Sequence, residues 1–192
     1  MKLSVIILAS GFSRRMGSQN KLFLPLGTSN FLRHTLQLVS ALDCDQRIIV
    51  INAADAAQAA IPPEFQVVIN HTPEQGQAHS VVLGTEAASS DVYLFLPIDQ
   101  PALTVQCLKP LLIKAAINRI VYPVVLDKPV NPILFGRLFR QQLLNLTGDH
   151  GGRVIRDQYP AACVPIVSQA ACFKDIDTVV QYQQFLAKQR LK

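Results

Sequence analysis

Short apolar runs rich in Val, Ile and Leu recur along the chain at Leu3–Ala9, Arg47–Asn52, Gln66–Asn70, Val92–Pro97, Arg119–Val125 and Ala162–Val167. Most lack the strict alternation of a half-exposed strand, so they read as strands buried on both faces. Between them the period changes. Phe31, Leu32, Thr35, Leu36, Leu38, Val39 and Leu42 fall on one face of a helix, and Ala78–Ala88, Val105–Ile117 and Gly136–Leu146 show similar spacing. A closing helix is expected over Asp177–Leu191, with Asp and Thr as capping material in front. Lys188, Arg190 and Lys192 follow at its end, where cations suit the helix dipole. Strand then helix, repeated, predicts an α/β fold, a three-layer sandwich whose mostly parallel sheet is covered by helices on both faces.

Proline marks the joints: Pro62 and Pro63 before the third strand, Pro97 and Pro101 around the end of the fourth, Pro129 and Pro132 in a loop. With 192 residues, 49% of them hydrophobic, and no break in composition, one domain over residues 1–192 is expected. No run reaches the roughly 18 to 20 apolar residues of a membrane span, and the amino terminus has no A-x-A-like cleavage site, so its apolar stretch is read as a core strand. Cys44, Cys107, Cys163 and Cys172 are far apart with no C-x-x-C pair. That pattern predicts four reduced, space-filling thiols and a cytoplasmic protein.

A formal net charge of +5 favours an anionic partner. Trp is absent, and no basic run is interleaved with aromatic residues, so neither nucleic acid nor membrane is expected as the partner. A small phosphorylated substrate accounts for the charge equally well. In an open parallel sheet such ligands bind beyond the carboxyl ends of the strands. Three segments fall there: Gly11–Lys21, Asn70–Ser80 and Asp99–Thr104.

The first is the richest in chemistry. L-A-S-G-F-S-R-R-M-G-S-Q-N-K, residues 8–21, contains neither G-x-G-x-x-G nor the P-loop spacing. It still has the parts of a phosphate cradle: small residues that let amide groups approach an oxyanion, the forked donor Arg15 and the point charge Lys21. The same composition is compatible with a solvated basic turn. Asp99 stands just past a buried strand, stiffened by Pro97 and Pro101. It is suited to Mg²⁺, which takes one or two carboxylates together with phosphate oxygens, or to capping the turn that follows. The four histidines, His34, His71, His79 and His150, lack the i, i+4 spacing of a zinc pair.

The complete pattern, L-A-S-G-F-S-R-R-M-G-S-Q-N-K followed by L-F-L-P-L-G, resembles the opening signature of the MobA-like nucleotidyltransferases. Within that group it looks most like the molybdenum cofactor cytidylyltransferases. N-H-T-P-E-Q-G-Q-A-H-S at 70–80, L-P-I-D-Q-P at 96–101, N-P-I-L-F-G at 131–136, L-x-G-D-x-G-x-R at 146–153 and D-I-D-T at 175–178 resemble the later blocks, in order. The resemblance implies a Rossmann-like fold of the nucleotide-diphospho-sugar transferase type. It also implies Mg²⁺-dependent transfer of CMP from CTP to the phosphate of molybdopterin, with pyrophosphate released. By the same analogy Gly11–Gly17 wraps the triphosphate, Arg15 and Lys21 neutralise it, and Asp99 holds the metal. Ala9, Ser10, Gly11, Ser13, Gly17, Gly76, Ser80 and Asn131 would line the nucleotide. The implied partners are a nucleoside triphosphate, a phosphorylated pterin acceptor and a molybdoenzyme or its chaperone. Gly148, Asp149, Gly151 and Arg153 are either a plain turn or, by resemblance, the border of the pterin side.

Three positions depart from the cytidylyl pattern. Ser10 replaces Ala, three residues rather than two separate Gly17 from Lys21, and V-N-P at 130–132 replaces G-H-P. The longer spacing is common in the guanylyltransferases of the group. GTP with molybdopterin, or a nucleotide with a sugar or polyol phosphate, is therefore the alternative chemistry. A non-catalytic nucleotide-binding regulator is the alternative of a different class.

Overall fold

The computed structural model describes residues 1–11 and 19–189. Its first strand, β1 (Leu3–Ala9), is followed by a short hairpin, β2 (Pro25–Leu26) and β3 (Ser29–Asn30), and by helix α1 (Phe31–Ser40). Next come β4 (Gln46–Asn52), α2 (Ala53–Gln58), β5 (Phe65–Asn70), α3 (Gln77–Ala87), β6 (Val92–Pro97) and α4 (Val105–Ile113). The second half contains β7 (Ile120–Val125), β8 (Lys128–Pro129), β9 (Ile133–Gly136), α5 (Arg140–Leu144), α6 (Arg153–Gln158), β10 (Cys163–Val167) and α7 (Val179–Gln189).

The sheet runs β10-β7-β9-β6-β1-β4-β5, with β8 paired to β7. β1 lies in its interior, parallel to both β4 and β6. Alternation of side chains divides the core into two layers. Val5, Ile7, Ile49, Ile51, Leu94 and Leu96 pack with Leu32 and Leu36 of α1 and Leu108 and Leu111 of α4. Ile6, Ile48, Val50, Tyr93 and Phe95 face the other way, onto Val81 of α3 and Leu143 of α5. Burial on both faces explains why these strands read as continuous apolar runs. A third cluster, Leu24, Leu26, Phe31, Ile176 and Tyr182, seats α7 on the β2–β3 hairpin, with the Tyr182 hydroxyl donating to the Pro25 carbonyl at 2.6 Å.

Several expectations are corrected. Gly136 ends a strand instead of opening a helix. β9 inserts antiparallel between β6 and β7, leaving a 3-10 turn over Arg137–Phe139 and only Arg140–Leu144 as helix. The expected helix Val105–Ile117 stops at Ile113, and α2, too short to show a periodic face, was not expected. Cys107 and Cys172, 65 residues apart, form a disulfide with Cα atoms 6.3 Å apart, because the loop before Phe173 folds back onto α4. Only Cys44 and Cys163 keep free thiols. Among the described residues no helix is long and apolar enough to cross a membrane.

β9 fits where it does because Gly136 has no side chain. Its amide donates to the Arg119 carbonyl at 2.8 Å, and an added Cβ would land on the backbone of Ala116 and Ile117. Gly136→Ala is expected to cost about 1–3 kcal/mol through forced backbone shifts. That loss lowers the midpoint of thermal unfolding by roughly 3–10 °C; an unchanged midpoint would contradict the close contact.

Candidate active site

The carboxyl ends of β1, β5 and β6 open into a cavity of about 510 Å³, lined by Ala9, Ser10, Gly11, Lys21, Gly76, Ser80, Asp99, Asp149 and Asp177 among others. Described residues of each expected segment therefore meet here: Gly11 and Lys21 of the first, Gly76 and Ser80 of the second, and Asp99 of the third. Ser13, Arg15 and Gly17 lie outside the described residues. Asn131 lies apart from this cavity, on the wall of a second one of about 320 Å³. The two cavities adjoin, sharing Leu8, Gln77, Pro97 and Asp149.

Lys21 is the hub of the charged side. It sits in a 3-10 turn over Lys21–Phe23, where Asn20 caps the Leu22 amide at 3.0 Å. Although a lysine, it is 6% exposed. Its Nζ donates to Asp177 Oδ1 at 3.0 Å and to Asp99 Oδ2 at 3.4 Å. Burying a charge is costly unless it is paired, and these carboxylates supply the pairing.

Asp177, which the sequence reading did not single out as a site residue, lines this cavity and pairs with Lys21. The D-I-D-T block was visible, but its aspartates were read as capping material. The cap is Thr178, whose Oγ1 accepts from the Gln181 amide at 3.2 Å while Gln181 Oε1 accepts from the Thr178 amide at 3.1 Å. This reciprocal capping box leaves the Asp177 carboxylate available for Lys21. The Ile176 amide, donating to the Asp99 carbonyl at 2.9 Å, pins the two acidic segments side by side.

Gln100 ties the same corner together from below. Its Nε2 donates to the Asn131 carbonyl at 2.9 Å, the Phe173 carbonyl at 3.3 Å and Asp175 Oδ1 at 2.9 Å. Asn131 thus takes part through its backbone, bracing the loop between the cavities.

The polar floor is a hydroxyl cluster. Ser10 Oγ and Ser80 Oγ are 2.6 Å apart, and Asn70 Nδ2 donates to them at 3.1 Å and 3.3 Å. The extra hydroxyl at position 10 is thereby used to join β1 to α3, while both serines still line the cavity. At the rim, Gly76 adopts φ 88°, a left-handed conformation that favours glycine. A Cβ there would strike Asp149 Oδ1 and lie 2.7 Å from the Gly148 carbonyl, which accepts from the Ala78 amide at 3.2 Å. The glycine lets residues 148 and 149 close over the start of α3. Asp149 lines both cavities, Gly151 and Arg153 line the second, and Gly148 supports the segment through its carbonyl.

The residues present fit a divalent cation. Asp99 Oδ1 is closed off from solvent, with no hydrogen-bond partner among the described residues. Burial raises the Asp99 carboxyl above the usual range, Lys21 pulls it down, and Asp177 adds to the rise. Among the described residues no three His, Cys, Asp or Glu side chains form a metal cage. A cation here would rest on one or two carboxylates, completed by phosphate oxygens and water, as Mg²⁺ and Mn²⁺ accept.

Residues 5–163 match the family described as MobA-like NTP transferase domain. The probable molybdenum cofactor guanylyltransferase of Rhodopirellula baltica is 34% identical over 105 residues, 52% of this chain and 49% of its own. The chain thus spans about half the length of that curated relative. Among solved structures, a nucleotidyl transferase from Methanothermobacter thermautotroptrophicus has a TM-score of 0.85 at 20% identity, covering 100% of this chain and 99% of that one. Rv0371c of Mycobacterium tuberculosis H37Rv, in complex with manganese, has a TM-score of 0.79 at 20% identity, covering 97% and 99%. These structures share the fold.

Asp175, beside the hub, is pushed up to about 6, chiefly by burial and next by the Asp99 carboxylate, with the Gln100 bond pulling it down. The folded chain therefore holds this proton more tightly than the unfolded one. The resulting stabilisation is present at low pH and is lost as pH rises from about 3.8 to about 6. In metal-free buffer, Asp175→Asn, which keeps an oxygen for Gln100, is expected to raise the unfolding midpoint at pH 7 and to flatten its pH dependence across that window. An unaltered pH profile would contradict this.

Proposed function

The chain belongs to the MobA-like NTP transferase domain family, and from that premise we propose that it is a guanylyltransferase joining GMP from GTP to the phosphate of molybdopterin, with release of pyrophosphate. One observation carries the reading: a buried lysine held between two carboxylates at the carboxyl edge of a parallel sheet, on the wall of a cavity large enough for a nucleotide. The guanylyl form is favoured over the cytidylyl form because three of the curated relatives are named molybdenum cofactor guanylyltransferases, one of them as probable. The three-residue spacing from Gly17 to Lys21 points the same way.

In this reading the nucleotide occupies the 510 Å³ cavity, over the Ser10–Ser80–Asn70 floor and against Gly76. The acceptor occupies the adjoining 320 Å³ cavity, among Asn131, His150, Arg153 and Arg156. An oxygen of the acceptor phosphate attacks the α-phosphorus, a new P–O bond forms, and the α–β P–O bond breaks with its electrons passing to pyrophosphate. The attacking phosphate is already an anion near neutral pH, so the site needs no general base. Lys21 offers its ammonium group to the phosphates, and Gly11–Gly17 with Arg15 would enclose them. Asp99 and Asp177 would hold a divalent cation such as Mg²⁺, which when bound draws negative charge from the reacting phosphates. Gln100 keeps the Asp175 and Asn131 loops from shifting around that pair. A molybdoenzyme or its chaperone would receive the product.

The test is pyrophosphate release from GTP, CTP, ATP and UTP, each with molybdopterin and with a small set of sugar and polyol phosphates. GTP with molybdopterin is expected to give the highest kcat/KM. Asp99→Asn is expected to lower kcat by about 10²–10³-fold, the scale of losing a charge-stabilising group at a reacting centre. Preference for CTP would restore the cytidylyl alternative. Absence of pyrophosphate with every pair, or full activity in Asp99→Asn, would contradict the proposal.

A further inference from the structure

Asp55 lines neither cavity. It lies in the first turn of α2, and among the described residues it and Lys21 are the most deeply buried charged residues, at 8% and 6% exposure. An acidic residue in the first turn gains a little from the helix dipole, but that gain is available without burial. Its partners explain its position better. Oδ1 accepts from Asn20 Nδ2 at 2.6 Å, 35 residues away, and Oδ2 accepts from Asn52 Nδ2 at 2.5 Å. Asn52 is fixed in return, its Oδ1 accepting from the Asp55 amide at 2.8 Å. Asn20 is committed at both ends of its side chain: Nδ2 to Asp55, and Oδ1 to the Leu22 amide that begins the turn carrying Lys21.

We propose that Asp55 is a positioning residue for nucleotide binding: acting through Asn20, it fixes the point where the loop after β1 rejoins the fold and so sets Lys21 against the phosphates. This rests on the reading of the first cavity as a triphosphate site. The physical reason for an acid at this position is its pair of acceptor oxygens. Two amide donors, from Asn20 and Asn52, converge on it, and bonds to a charged acceptor are stronger than bonds to a neutral one. Asparagine keeps one acceptor and sets its own NH₂ group against a second donor. The arrangement can also be reversed. In the double variant Asn20→Asp/Asp55→Asn, the new Asn accepts from Asn52 and donates to the new Asp, whose other oxygen still accepts from the Leu22 amide.

The experiment is titration of wild type, Asp55→Asn, Asn20→Asp and the double variant with GTP and CTP in Mg²⁺, and with GMP and CMP, alongside thermal unfolding. Each single variant is expected to bind the triphosphate roughly tenfold more weakly, the scale of one charge-assisted hydrogen bond. Monophosphate affinity should be nearly unchanged, and the double variant should recover most of the loss. Three results would overturn the proposal: unweakened triphosphate binding in the singles, a double variant no better than the worse single, or equal losses for mono- and triphosphate that follow the unfolding midpoint. A wild-type protein that binds no triphosphate would instead remove the proposed function, and this inference with it.

Discussion

The Lys21 ammonium stands 3.0 Å from Asp177 and 3.4 Å from Asp99, and three remote segments of chain are needed to make that contact. One is the return of the loop after β1, one the exit of β6, and one the approach to α7. A buried lysine without partners would lose its charge or unfold its surroundings, so this small group of charges couples the closing helix to β1. The Ile176 amide on the Asp99 carbonyl and the seating of Tyr182 and Ile176 in the hairpin cluster serve the same coupling. The carboxylates that satisfy the lysine are also the groups suited to a divalent cation.

Around the hub, restraint is built in layers. Gln100 gathers three acceptors from two loops, the Asn70 amide holds two serine hydroxyls, and Asp55 holds the asparagine that precedes Lys21. Each is a short polar bridge between chain segments distant in sequence, made where it is largely shielded from water and worth more than at the surface. The Gly148–Asp149 wall, admitted by the left-handed Gly76, then divides one broad cleft into two connected cavities. A reaction joining two phosphorylated molecules has use for that division.

Much of this architecture was legible in the sequence because burial on both faces leaves an unmistakable mark. Leu3–Ala9 and Val92–Pro97 are strands with the expected bounds, and the loops that follow them carry the expected Lys21 and Asp99. What was illegible was decided by tertiary packing. The I-L-F-G run of β9 runs without a break into a helical pattern, and only insertion between β6 and β7 makes it a strand. Asp177 sits beside a threonine that takes over capping, a competition that local sequence does not resolve. Asp55 lies in a helix too short to leave a periodic mark, and its role depends on Asn20 being brought to it from 35 residues away. Cys107 and Cys172 have no motif spacing, since their meeting depends on how one loop folds over α4.

The central claim is that Lys21, Asp99 and Asp177 form the cation and phosphate end of a nucleotide site. Its most direct test is a crystal structure of the protein with GTP and Mn²⁺, with the metal located by its anomalous scattering. The account predicts one manganese peak within about 2–2.5 Å of oxygens of Asp99 and Asp177 and of the triphosphate, with Lys21 Nζ on the phosphates. Manganese bound elsewhere, or a triphosphate seated away from these three side chains, would contradict it.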